Sequence, residues 1–174
     1  MMDLKRMGMA VLVLGAASVL VLPAAAATRV QKTFGGWRVD CTEKDDGKTA
    51  CALQYALVTQ KDKRPVFNWT IIPGQKDKSN RVLLRTPTGV LLAEGVKVGI
   101  EGAEPVKINY LTCGPKACIA EFDLTDQWLK ALGSYPKAIV AYTAVNRETI
   151  RHEIDLAKFG DAFKFYESEA AAGK

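Results

Sequence analysis

Beyond its first 27 residues, this 174-residue chain offers little for nucleophilic or metal chemistry: one histidine, His152, three serines (Ser79, Ser134, Ser168) and four cysteines (Cys41, Cys51, Cys113, Cys118). A serine hydrolase needs a hydroxyl beside an imidazole base. His152 falls in Ile150-Arg-His-Glu-Ile154-Asp-Leu156, where period-two alternation places it on the side of Ile150, Ile154 and Leu156. That pattern predicts a partly buried imidazole hydrogen-bonded to backbone, not a general base. Paired carboxylates can serve a glycosidase, but Asp45-Asp46 reads as a turn and Glu153 with Asp155 as the solvated face of a strand. Gly35-Gly36, Gly95, Gly99 and Gly102 lie in strand or turn contexts and match no phosphate-gripping loop. Asn68-Trp69-Thr70 spells a glycosylation acceptor, yet an Asn between aromatic residues reads more simply as the polar face of a strand.

Four cysteines permit three disulfide pairings. Local pairing is favoured, because Cys41 and Cys51 flank the turn-rich Glu43 to Lys48 stretch and Cys113 and Cys118 flank Gly114-Pro115. Each bridge then staples the base of a hairpin. A zinc site is the rival reading, but the spacing and the lone histidine supply no familiar ligand set. No cofactor and no metal are expected.

The strongest unabsorbed charge is basic. Between Gln60 and Arg85 stand Lys61, Lys63, Arg64, Lys76, Lys78, Arg81 and Arg85 against Asp62 and Asp77. If Val66 to Ile72 and Arg81 to Arg85 are neighbouring strands, the loop from Pro73 to Asn80 gathers Lys76, Lys78 and Arg81 at their end. Lys76, Lys78, Arg81 and Arg85 are therefore the candidate patch for an anionic partner, such as lipopolysaccharide, a host-cell surface or an acidic envelope protein. The alternative is an ordinary solvated loop.

The elements that position these residues follow an export signal. Lys5 and Arg6 precede the apolar run Met7 to Leu22, then Pro23 and four alanines, the order of a secretory signal peptide cleaved after Ala26 or Ala27. The run is shorter than the ~20 residues that span a bilayer, which favours cleavage over retention as an anchor. An oxidising compartment then suits the disulfides. Without residues 1 to 26 the chain holds 22 basic and 18 acidic residues, a net charge of +4. With an exported address, so modest an excess argues against a nucleic-acid partner.

The expected organisation is a signal peptide over 1–27, one domain over 28–168 and a loose tail over 169–174. Alternation at Trp37/Val39/Cys41, Leu53/Tyr55/Leu57, Phe67/Trp69/Ile71, Val96/Val98/Ile100 and Val106/Ile108/Tyr110 predicts half-buried strands, the last running to Cys113. Val82 to Leu84 reads as a strand covered on both sides. Further strands fit Cys118 to Asp123, Lys137 to Val145 and Thr149 to Leu156. A short helix from about Asp126 to Leu132 has Thr125 as N-cap and Gly133 as its left-handed close. A second follows Leu156, with Phe159, Phe163 and Tyr166 on one stripe. Trp37, Trp69 and Trp128 read as core. The fold class is all-β: a disulfide-stapled antiparallel sandwich, Ig-like or a partly open barrel, with two short helices.

Several of these stretches resemble one family. Phe34-Gly-Gly-Trp37 leading to Cys41, Gln54 after Cys51, Leu91-Leu-Ala-Glu-Gly-Val96, Leu111-Thr-Cys-Gly-Pro-Lys-Ala-Cys118 and Leu156-Ala-Lys-Phe159-Gly160 are similar, in this order, to the invasion-associated locus B family of exported Gram-negative proteins. The likeness runs from Phe34 to about Phe165. It implies a periplasmic or envelope-associated β-sandwich with two local disulfides and an association with host-cell entry. It implies no catalytic motif. The Gln60 to Arg85 segment departs from it in being unusually basic. The expectation is a non-enzymatic envelope interaction module; the alternatives are a membrane-anchored accessory subunit, or a periplasmic enzyme or inhibitor with its site in loops.

Overall fold

The computed structural model describes residues 29–44, 46–74, 79–100 and 104–172, so the signal segment, Lys76 and Lys78 lie outside the described residues. The described residues form two separate antiparallel sheets, two α-helices and a short 3-10 helix, Leu92–Glu94. The larger sheet comprises β1 (Arg29–Phe34), β2 (Trp37–Glu43), β3 (Thr49–Val58), β4 (Pro65–Ile72), β5 (Arg81–Thr86), β8 (Tyr110–Cys113) and β9 (Cys118–Asp123), in the order β1-β2-β3-β4-β5-β9-β8. The smaller comprises β6 (Val96–Ile100), β7 (Val106–Ile108), β10 (Lys137–Thr143) and β11 (Thr149–Asp155), in the order β11-β10-β6-β7. Neither sheet closes on itself, so the architecture is a sandwich and not a barrel.

Alternation decides which side chains meet. Trp37, Val39 and Cys41 of β2, Phe67, Trp69 and Ile71 of β4, and Val82 and Leu84 of β5 are buried from the larger sheet. Val96, Val98, Val140, Tyr142 and Ile154 join the same core from the smaller sheet. Seven strands present more apolar face than four can cover. Helix α2 (Phe159–Ala172) covers the remainder, packing on β1, β2 and β3 with Phe159, Ala162, Phe163 and Tyr166 buried. The N-terminal hairpin is made for this packing. Gly35 has φ +58°, and a Cβ on Gly36 would lie 2.3 Å from the Tyr55 ring, so both positions of the turn require glycine.

The disulfides join residues already facing each other across strands: Cys41 to Cys51 between β2 and β3, and Cys113 to Cys118 between β8 and β9. Local pairing is thus the observed one.

Several sequence expectations change. The strand expected from Val106 to Cys113 divides at Asn109, β7 joining the smaller sheet and β8 the larger. Both pieces border one core, so the apolar alternation continues through the crossing and hides it. Leu83 is half-buried on the outer face, so β5 is covered on one side only. Helix α1 (Asp126–Ser134) has Thr125 Oγ1 accepting from Trp128 N as expected, but Gly133 lies inside it. The helix ends one residue later because Pro136 holds Tyr135 extended, at φ −113° and ψ 148°. Helix α2 continues to Ala172, so helix stands where a loose tail is expected from residue 169. Strand β1 is additional.

The two bridges differ in surroundings. Cys41 and Cys51 are buried in the core, whereas Cys113 is exposed. Replacing either pair by alanine loses the constraint on the unfolded chain, about 2–3 kcal/mol for such short loops. Urea midpoints should show a larger loss for Cys41→Ala/Cys51→Ala, which also forfeits packing; equal losses would contradict the distinction.

Candidate functional site

His152 occupies the position the alternation dictates, but its partner is a side chain. The ring stacks on Phe67 (5.8 Å between centroids), and Nε2 lies 3.2 Å from Tyr142 Oη. Tyr142 donates its single hydroxyl proton to the carbonyl of Val66 at 3.2 Å. One proton cannot serve two acceptors, so Nε2–H of His152 donates to the Tyr142 oxygen. Burial lowers the His152 pKa and pushes the Tyr142 phenol up to about 12. Burial thus favours the neutral imidazole, which is built half-buried into the inter-sheet contact. The serines are elsewhere: Ser134 donates to Lys130 O and Ser168 to Phe165 O, both one turn back in helices. Glu153 pairs with Lys137, and Asp155 Oδ1 accepts from Ala157 N. Among the described residues, no His, Cys, Asp or Glu group gathers as a metal site would require.

The basic residues separate along the sheet. Arg81 pairs with Glu121 at 2.6 Å across β5 and β9, and its buried Nε has no acceptor. Arg85, four residues on, lies exposed at the other end of β5, opposite Asn68 of β4 and Ile119 of β9. Lys76 and Lys78 lie outside the described residues. At the Arg85 end, the turn from β3 carries Lys61, Lys63 and Arg64 into Pro65, and Arg64 is paired with Asp62. The disulfide-closed turn between β8 and β9 brings Lys116 to the same end, because Thr86 pairs with Cys118.

Here a hollow of about 270 Å³ opens, walled by Pro65 to Asn68, Arg85 to Pro87, Lys116 and Ala117. Its polar side chains are Asn68, Arg85, Thr86 and Lys116. A second, more apolar groove of about 290 Å³ runs between α1 and the β6–β7 edge, lined by Val98, Ile100, Val106, Trp128, Tyr135 and, at its rim, Glu104. Trp128 is therefore half-buried in a groove wall, not a core filler like Trp37 and Trp69. Lys116 has no distinguishing signal in the sequence. Only the pairing of β5 with β9 reveals it beside Arg85.

The family model described as invasion associated locus B (IalB) protein matches residues 37–167, from the first buried tryptophan to the last turns of α2. The chain belongs to the invasion-associated locus B family. Invasion protein B homologues from two strains of Brucella abortus, 2308 and biovar 1 strain 9-941, are each 28% identical over 142 residues, covering 81% of this chain and 80% of the relative. The crystal structure of invasion associated protein B from Bartonella henselae superposes with a TM-score of 0.70 at 19% identity, over 83% of this chain and 99% of that one. The IalB fold is therefore the one described above.

The half-buried His152 of this IalB member makes stability depend on pH. Above about 6.5 both folded and unfolded states carry a neutral imidazole and no dependence arises. As pH falls through that value, the unfolded chain takes up the proton first, so stability declines until the lowered folded pKa is reached. As pH falls from neutral through about 6.5, His152→Gln should lose this part of the decline in urea unfolding. Parallel pH profiles for the two proteins would contradict it.

Proposed function

We propose that this IalB protein acts after export as a binding module of the cell envelope, recognising an anionic partner and performing no chemistry on it. The observation that carries the reading is where its charge lies. Its imidazole is half-buried and packed against Phe67 and Tyr142, whereas Lys61, Lys63, Arg85 and Lys116 stand exposed at one end of the larger sheet. Groups buried and hydrogen-bonded in a core stabilise it; exposed cations steer and hold anions. The N-terminal leader supports a periplasmic address for residues 28 onward, with one sandwich domain as the working unit. Among the described residues, no helix is long and apolar enough to cross a membrane. The invasion protein names of the relatives support a role in host-cell entry or in the envelope that entry requires. Lys76 and Lys78 belong to this proposal as a second contact for the same partner class.

Photocrosslinking in intact cells tests the reading. A photoreactive residue at Lys61 or Lys78 of the exported protein should give a discrete adduct with one envelope component, weakened by raised salt. Only background labelling at both positions would contradict it.

A further inference from the structure

We infer that the hollow between Arg85 and Lys116 is a binding site for a phosphomonoester group, presented either on a free sugar phosphate or on a lipid. This deepens the binding role proposed above and rests on it for its biological setting.

Four observations converge. First, the lining of this hollow contains two cations and no carboxylate. The groove beside α1 includes Glu104, and the hollow beside Tyr110 includes Glu121 and Asp123. Second, neither cation is committed elsewhere. Arg38, Lys48, Arg64, Arg81, Lys137 and Lys158 are paired with carboxylates, while Arg85 and Lys116 have no ion pair or side-chain hydrogen bond among the described residues. Third, Asn68 contributes amide donors. Its Oδ1 accepts from Thr70 Oγ1, which leaves Nδ2 to donate at the wall it shares with Arg85. Fourth, the frame is rigid. Pro65 and Pro87 form two walls, and the Lys116 turn is closed by the Cys113–Cys118 bridge and by Gly114 N donating to Ala117 O at 2.9 Å. Preorganised donors lose little entropy on binding.

Charge and geometry select among anions. Guanidinium, ammonium and amide donors border one space, which suits a tetrahedral group with three acceptor oxygens better than a planar carboxylate with two. A phosphomonoester carries a charge of about −1.5 to −2 near neutral pH, matching the two cations, whereas a sulfate ester or carboxylate brings a single charge. Thr86 Oγ1 is buried and placed against Pro87 O and Tyr110 Oη, so the wall supplies no free nucleophile. The site binds without reacting.

The test uses the purified, disulfide-intact exported protein. Amide resonances are followed during titration with inorganic phosphate and with glucose 1-phosphate, and vesicles of phosphatidylcholine with and without phosphatidic acid are used for flotation. Saturable shifts centred on Asn68, Arg85, Lys116 and Ala117 are expected. Arg85→Gln and Lys116→Gln should each weaken binding roughly tenfold, consistent with loss of one charge-assisted contact, while Lys97→Gln on the smaller sheet should not. Cys113→Ser/Cys118→Ser should weaken binding with Arg85 and Lys116 intact. Saturation by the soluble phosphates alone supports a free sugar phosphate as the natural source; flotation only with phosphatidic acid supports a lipid. No saturable binding by either probe, or binding unchanged in both Gln variants, overturns the site. That failure would leave an envelope adduct from Lys61 or Lys78 unaffected, so the two readings fail separately.

Discussion

Trp37 is the contact on which the rest of the arrangement depends. Its indole is fully buried, with ring centroids 5.2 Å from Tyr55, 6.2 Å from Trp69 and 5.1 Å from Phe159. Its Nε1–H donates to the carbonyl of Asp155 at 2.9 Å, 118 residues along the chain. Tyr55 Oη accepts from the amide of the same Asp155 at 3.4 Å. Two aromatic side chains of the larger sheet thus use both backbone groups of the last residue of β11. That fixes where the chain leaves the smaller sheet and where α2 begins to cover β2 and β3. Trp37 gains most from area burial and edge-on aromatic packing, and the hydrogen bond keeps a buried donor satisfied. Trp69 Nε1 is the contrast: equally buried, it has no acceptor.

This constraint also bears on the proposed binding role. A core closed by Trp37, Trp69, Phe67 and the α2 aromatics holds Tyr142 inside and leaves His152 half-buried against Phe67 and Tyr142. The proposed recognition surface lies at the ends of the larger sheet, where strand pairing brings turns together from distant parts of the sequence. The Cys113–Cys118 bridge serves there as a frame for Lys116, while the Cys41–Cys51 bridge belongs to the core.

The sequence makes legible what depends on near neighbours. Alternation at Trp37, Val39 and Cys41 reveals β2, the turn residues between cysteines reveal both bridges, and the spacing of Phe159, Phe163 and Tyr166 reveals the buried stripe of α2. It conceals what depends on the other sheet. Strand β1 is an edge with only Val30 and Phe34 packing inward, too weak a pattern to see. The crossing at Asn109 is masked because both sheets share one interior. The candidate site is half legible: Arg85 stands out as part of a basic run, but that run places it with Arg81, which Glu121 occupies at the other end of β5. Its neighbour Lys116 becomes visible only through the register of Thr86 with Cys118.

Native-state hydrogen exchange tests the role of Trp37 most directly. If Trp37 ties the N-terminal hairpin to the C-terminal helix, amides of α2 at Phe163 and Tyr166 open together with those of β2 and β3 at Val39 and Leu53, in one global event. Trp37→Phe, which removes the donor to Asp155, should then release α2 ahead of the sheet. Independent, low-energy opening of α2 in the unaltered protein, with no change in Trp37→Phe, would contradict the account.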